Sequence, residues 1–153
     1  MDLRETLTIV FSGMVGTIGF SILFRSDKKR ILCNAIGGAL TCFIYVACCH
    51  YTGNLLIQNF FPALFASIYA EVMARAVKAP ATPILACSII PLVPGGKLYY
   101  TTYYFVTGDT VKFDITLGET LQIAAGLAVG IICVSVVVHE LNRHKAKKIL
   151  EID

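Results

Sequence analysis

The residues of this chain that are best placed to do chemistry interrupt a long apolar stretch. They are the prolines, glycines and lysine of the segment 89–97, namely Pro91, Pro94, Gly95, Gly96 and Lys97. Proline removes a backbone hydrogen-bond donor and clashes with the preceding helical turn, so a helix breaks here. At membrane depth the freed backbone groups are tolerated only where protein or a water-filled cavity satisfies them. The break therefore predicts a binding site for a small solute, as in transporters with discontinuous helices.

Two interpretations of this segment stay open from the sequence. In the first, the backbone at Gly95 and Gly96 coordinates a polar solute, and Lys97 reinforces a carboxylate site at the N-terminus of a half-helix. In the second, the segment is a turn at the membrane surface, and Lys97 extends to lipid headgroups. The position of the segment in the sequence does not decide between them.

Several other polar side chains lie within apolar stretches. We expect Asn34 and Glu71 to be further candidates for a substrate pathway, because ionisable and polar groups inside a membrane are costly and often functional. Arg75 lies four residues after Glu71, the spacing of an ion pair on one helix face, so Glu71 is either a structural partner or a proton carrier. Asn34, Gln58 and Asn59 either line a path or form hydrogen bonds between helices.

Four tyrosines follow the break and share one helical face. They are Tyr99, Tyr100, Tyr103 and Tyr104. Tyrosine is enriched at membrane–water interfaces, which favours an aromatic belt. Lining of a pore is the alternative.

The composition indicates an integral membrane protein. Of the 153 residues, 56% are hydrophobic and 15% are charged, and the mean hydropathy is +0.72. Soluble domains carry about 25% charged residues. The net charge of +3 is too small to suggest a nucleic-acid partner. The six cysteines form no C-x-x-C pair, and His139 and His144 enclose an H-E-x-x-x-H segment whose spacing does not suit zinc. We expect no metal, no cofactor and no enzymatic activity.

The apolar segments predict a single all-α transmembrane domain over residues 1–153 with five crossings. The predicted spans are 6–24, 31–49, 55–73, 84–106 and 117–138, followed by a charged tail, 139–153. Each is about 20 residues long, as a membrane crossing requires. The fourth is discontinuous at the proline–glycine break, and a re-entrant loop is the alternative there.

The distribution of lysine and arginine predicts the orientation. The turn after the first span carries four basic residues, the turn after the third carries Arg75 and Lys78, and the tail carries four. The turn after the second span carries none, and the loop before the fifth carries only Lys112. Basic residues mark cytoplasmic loops, so the N-terminus is expected outside and the C-terminus in the cytoplasm.

Glycines mark the helix faces that can approach one another closely. They occur in the first span at residues 13, 16 and 19, in the second at 37 and 38, and in the fifth at 126 and 130. Packing in lipid depends on such close approach. Packing within the chain accounts for most of them, and the remaining surface suggests a partner subunit or a homo-oligomer within the lipid bilayer.

Several of these motifs together resemble the threonine/serine exporter family, specifically its small single-domain membrane subunit of the split two-component type. The residues that carry the resemblance are Gly19–Phe24, Ala35–Leu40, Lys78–Pro83, Ile89–Gly96 and Tyr99. The resemblance extends over about residues 16–130. It implies an export permease subunit in a bacterial inner membrane, working with a larger membrane subunit of the same family. The implied small-molecule substrates are threonine and serine, or small dicarboxylates.

Two other classes of function remain open from the sequence. The chain is alternatively an assembly subunit that stabilises a partner permease without transporting, or a homo-oligomeric channel. Export retained by the partner alone would indicate the first, and uncoupled flux through a homomeric assembly the second.

Overall fold

The computed structural model describes the backbone of residues 3–150 and the side chains of residues 3–144. The helices are α1 (Leu3–Leu23), α2 (Lys28–Tyr51), α3 (Leu55–Ala76), α4 (Ala81–Ile89), α5 (Gly95–Thr107) and α6 (Thr110–Leu150), and a 3₁₀ turn over Ile90–Leu92 follows α4. No strand occurs in the described range. The predicted all-α class is confirmed.

Most of these helices are suited to cross a membrane. Four of them, α1, α2, α3 and α6, are each long and apolar enough, and α4 with α5 passes the same test as one bent pair. The large apolar side chains of α1, such as Leu7, Phe11 and Ile22, are mainly exposed. In water such exposure would be costly, whereas in lipid it costs little. The predicted polytopic membrane protein is therefore confirmed.

Short polar residues determine where two of the helices begin. Asn54 caps α3, because its Oδ1 accepts hydrogen bonds from the amides of Leu56 and Ile57 at 3.0 and 3.3 Å. Asp109 accepts from the amide of Lys112 at 3.2 Å and so starts α6 at Thr110. Such caps satisfy amides that have no partner inside the helix. The segment 107–116, which the sequence places between the predicted fourth and fifth spans as a loop, is thus largely helical.

Glycines on α6 bring it against α3. A Cβ atom on Gly126 would overlap the carbonyl oxygen of Leu56, and one on Gly130 would come within 2.7 Å of the carbonyl oxygen of Phe60. From Gly126 to Gly130 along α6, the contacted residue on α3 advances from Leu56 to Phe60, so the two helices run parallel. Sixteen residues of α6 precede Gly126, or about 24 Å of helix at 1.5 Å per residue. This extension packs mainly against α5.

The interior of the bundle is built from small side chains. Ala63, Ala66, Ala70 and Ala74 of α3 are all buried. At spacings of three and four residues they share one helix face. Ala63 packs with Leu92, Ile123 and Leu127, while Ala70 and Ala74 pack with Ile84. Small residues let α4 and α6 approach the α3 backbone closely. In lipid the hydrophobic effect does not drive helices together, so the dispersion contacts made at this short distance stabilise the packing.

The contact between α3 and α6 predicts a sharp difference between two glycine substitutions. Gly126→Ala should lower the free energy of unfolding by roughly 1–3 kcal/mol, because the added methyl group overlaps the α3 backbone. Gly16→Ala is the matched control, since no atom lies within 4 Å of its Cβ position. Thermal stability of the purified protein in detergent measures both. Equal stability of the two variants would contradict the described packing.

Candidate functional site

The backbone between α4 and α5 changes direction at two prolines. The unit Ala81–Leu92 and the helix Gly95–Thr107 are bent by 57° relative to each other. Val93, which precedes Pro94, is extended (φ −62°, ψ 127°), as expected before a proline. Its amide donates to the carbonyl of Ile90 at 3.1 Å. The prolines therefore end one helix and set the direction of the next.

The N-terminus of α5 has backbone donors available. The amide of Gly95 donates to Val93 at 2.7 Å, and that of Leu98 donates to Pro94 at 2.9 Å. For the amides of Gly96 and Lys97, no acceptor is found among the described residues. Free amides and the helix dipole make this end attractive to an anion.

A cavity of about 580 Å³ opens at this break. Pro91, Pro94, Gly95, Gly96 and Lys97 all line it. The rest of its wall is formed by Tyr45, Leu55, Asn59, Leu92, Val93, Tyr100, Tyr104, Thr116 and Ile123. Ligand pockets commonly have volumes of about 300–1,000 Å³. The structure thus brings the five break residues of the sequence analysis together with α2, α3 and α6.

Lys97 forms an ion pair with Glu119 across α5 and α6. The two side chains are 45% and 32% exposed, and Lys97 is the member of the pair that lines the cavity. One turn further along α5, the hydroxyl of Thr101 donates to the carbonyl of Lys97 at 2.8 Å and lies 3.3 Å from the hydroxyl of Thr120 on α6. The site therefore holds one positive and one negative group side by side.

The four tyrosines do not form one uniform surface. Tyr100 and Tyr104 line the cavity and stack on each other with ring centroids 6.2 Å apart, whereas Tyr99 and Tyr103 do not line it. Lys112 lies over the Tyr104 ring at 5.4 Å from its centroid.

Lys112 also forms an ion pair with Asp109. Its Nζ is 2.8 Å from the carboxylate of Asp109, in the turn between α5 and α6. Hydrogen bonds from Lys112 lower the pKa of the Asp109 carboxyl below its usual value. Asp109 is therefore charged at neutral pH and holds this turn in place.

Two residues of this site are not identified as site residues from the sequence. Glu119, which pairs with the lining residue Lys97, is not singled out there, and Asn59, which lines the cavity, is only one of several polar residues within spans. Asn59 is 2% exposed, and its side-chain Nδ2 donates to the carbonyl of Leu55 at 2.8 Å. A signal for Glu119 existed, since it is the one charged residue between positions 117 and 138.

The other two predicted site residues lie outside the cavity. Asn34 is buried on α2, and its Nδ2 donates to the hydroxyl of Ser21 at 2.9 Å. Glu71 lies in a groove between α3 and α6 and accepts from Arg75 at 3.2 Å. The predicted same-face pair therefore forms, at a distance from the break.

Within the described part of the chain, no cluster of three His, Cys, Asp or Glu side chains is arranged to hold a metal ion. The groups at the cavity offer hydrogen bonding and charge pairing, through Lys97 with its partner Glu119, the free amides and the tyrosine hydroxyls.

A comparison with known families matches most of the chain. A family model described as Threonine/Serine exporter, ThrE, matches residues 9–137. The chain belongs to the threonine/serine exporter family. The matched range contains the break, the residues that line the cavity and the Lys97–Glu119 pair. No curated protein and no solved structure gave a significant match.

The ion pair of this exporter domain predicts a measurable coupling between two substitutions. Lys97→Gln and Glu119→Gln should each reduce thermal stability, because each leaves one charge unpaired beside an apolar wall. The double variant should lose less than the sum, by about 0.2–1 kcal/mol for a half-exposed pair. A thermal double-mutant cycle in detergent measures this coupling.

The pair Lys112 and Asp109, changed to Gln and Asn, is the matched cycle outside the cavity. Strictly additive effects at Lys97 and Glu119 would show that the pair does not form.

Proposed function

We propose that the chain is the membrane subunit of a secondary exporter for small polar metabolites, working with a larger partner subunit in a bacterial inner membrane. The observation that carries the proposal is the cavity at the break, which joins free helix amides to a lysine–glutamate pair. Membership of the threonine/serine exporter family supports a transporter role. Both the substrate and the partner are parts of the proposal.

The charges in the cavity suit a zwitterion. The amides of Gly96 and Lys97, with the Lys97 ammonium, are complementary to a carboxylate. The Glu119 carboxylate is complementary to an α-ammonium group. An amino acid such as serine or threonine would use both charges of the pair. A dicarboxylate would use the cationic side alone and would meet repulsion from Glu119.

The direction of the helices supports a complete crossing by α4 and α5. Because α3 and α6 are parallel neighbours, the chain between them must return to the side where α3 began. A re-entrant loop would leave α6 antiparallel to α3. We therefore assign α4, the break and α5 to one discontinuous span, with the N-terminus outside and the C-terminus in the cytoplasm.

The open surface near the cavity supports a partner subunit. The helix α5 packs mainly along α6, and its residues Leu98, Phe105 and Val106 are exposed. Gly16 and Gly19 on α1 also face open space. A larger subunit packed against these surfaces would close the cavity from the lipid side.

Efflux from membrane vesicles tests this proposal directly. We expect radiolabelled serine and threonine to leave vesicles that contain both subunits faster than vesicles that contain either subunit alone. Succinate tests whether the cavity accepts a dicarboxylate. Full export by the larger subunit alone would show that this chain only assists assembly. Uncoupled flux through this chain alone would indicate a channel.

Substitution at the break should separate transport from folding. Pro94→Ala combined with Gly95→Ala should reduce export to background while the protein stays in the membrane. The reason is that a continuous helix would give the amides of Gly96 and Lys97 hydrogen-bond acceptors in the preceding turn. A Cβ atom on Gly95 meets no atom within 4 Å, so the change does not clash with the described structure.

The matched control changes the same residue types outside the cavity, at Pro80 and Gly53. A Cβ atom on Gly53 also meets no atom within 4 Å. Export is measured per amount of membrane-inserted protein for both variants. Undiminished export by the break variant would remove these residues from the transport pathway.

A further inference from the structure

A second set of polar residues lies buried along one face of α2, outside the cavity wall. Asn34, Gly37, Gly38 and Thr41 occur at spacings of three and four residues and share this face. Asn34 is 1% exposed and Thr41 is fully buried. Tyr45, one turn further on, lines the cavity. The face therefore extends about 16 Å from the cavity towards the α1–α2 turn.

Small polar side chains from two other helices pack on this face. Ser88 of α4 lies against Gly37, and Thr17 of α1 lies against Gly38. Neither glycine has room for a Cβ atom. The junction of α1, α2 and α4 is therefore close-packed but polar.

Three oxygen atoms at this junction lack hydrogen-bond partners among the described residues. They are Asn34 Oδ1, Thr41 Oγ1 and Ser88 Oγ. Other buried hydroxyl groups donate to the carbonyl four residues earlier, as Thr17 and Ser67 do at 2.8 Å. A buried polar group without a partner costs free energy, and a membrane offers no water nearby to compensate. Among the residues that the structure describes, such unpaired atoms are therefore unusual, and they lie on α2 and α4.

We infer that this polar face of α2 is the hydrated route by which a small zwitterionic solute passes between the break cavity and the α1–α2 end of the bundle. The inference rests on the proposed export function. When α4 separates from α2, Asn34, Thr41 and Ser88 gain water or solute as hydrogen-bond partners. Their neutral groups bind both ends of a zwitterion without holding either one tightly.

The groove between α3 and α6 offers no comparable route. Apart from the Glu71–Arg75 pair, which is already made, its lining is apolar, with residues such as Leu64, Ile68, Val134 and Val137. A polar solute there would lose its hydration without gaining new partners. The position of α4 also favours the polar face, because α4 ends at the break that lines the cavity.

Cysteine labelling tests the route in vesicles that contain the complete exporter. The background replaces the six native cysteines with alanine and must retain export. Ser88→Cys should then react at least tenfold faster than Ser67→Cys with a charged methanethiosulfonate reagent applied at the α1–α2 side. Ser67 is the matched control, because it is also a buried serine, but its hydroxyl donates to the carbonyl of Ala63. Serine or threonine should slow the labelling of Ser88→Cys.

A second measurement avoids the cysteine-free background. Ser88→Ala removes an unpaired hydroxyl group, so it should raise the melting temperature and slow export. Ser67→Ala removes a group that is hydrogen-bonded, so it should lower the melting temperature. Equal destabilisation by both variants would overturn the inference.

The outcomes separate the route from the proposed function. Export that continues while Ser88→Cys labels no faster than Ser67→Cys overturns the route alone. Rapid labelling of Ser88→Cys, together with no export of any tested solute by the exporter with its native residues, supports the hydrated face and overturns the proposed function.

Discussion

Two prolines three residues apart prevent the backbone from continuing one hydrogen-bonded helix between α4 and α5, and much of the structure follows from this constraint. Pro91 and Pro94 leave the α5 amides of Gly96 and Lys97 without helical acceptors. An apolar environment cannot satisfy such groups. The surrounding helices instead leave a cavity here, lined by polar groups such as those of Asn59.

The packing of α6 determines the shape of that cavity. Gly126 and Gly130 bring α6 against the α3 backbone, which fixes it parallel to α3. The extension of α6 before Gly126 then carries Glu119 to Lys97 on α5. A pair of opposite charges beside free amides is suited to a solute that itself carries both charges. Among the described residues, the buried side-chain atoms without a hydrogen-bond partner lie on α2 and α4.

Local contacts could be predicted from the sequence, whereas contacts between helices could not. The Glu71–Arg75 pair follows from the four-residue spacing on one helix and is present. Lys97 and Glu119 are 22 residues apart, and no periodicity links two helices whose relative rotation is unknown. Of the glycines that marked close packing, Gly126 contacts a neighbouring helix and Gly16 faces open space, which their positions in the sequence do not reveal.

The sequence by itself determined the all-helical membrane class, the break at Pro91–Lys97 and the family, because hydropathy, proline stereochemistry and motifs are local properties of the chain. The tertiary structure alone decided that Asn34 and Glu71 lie outside the cavity and that Glu119 pairs with Lys97, which lines it. The physical reason is that helix rotation and register arise from close packing between distant segments, and one-dimensional spacing does not contain them.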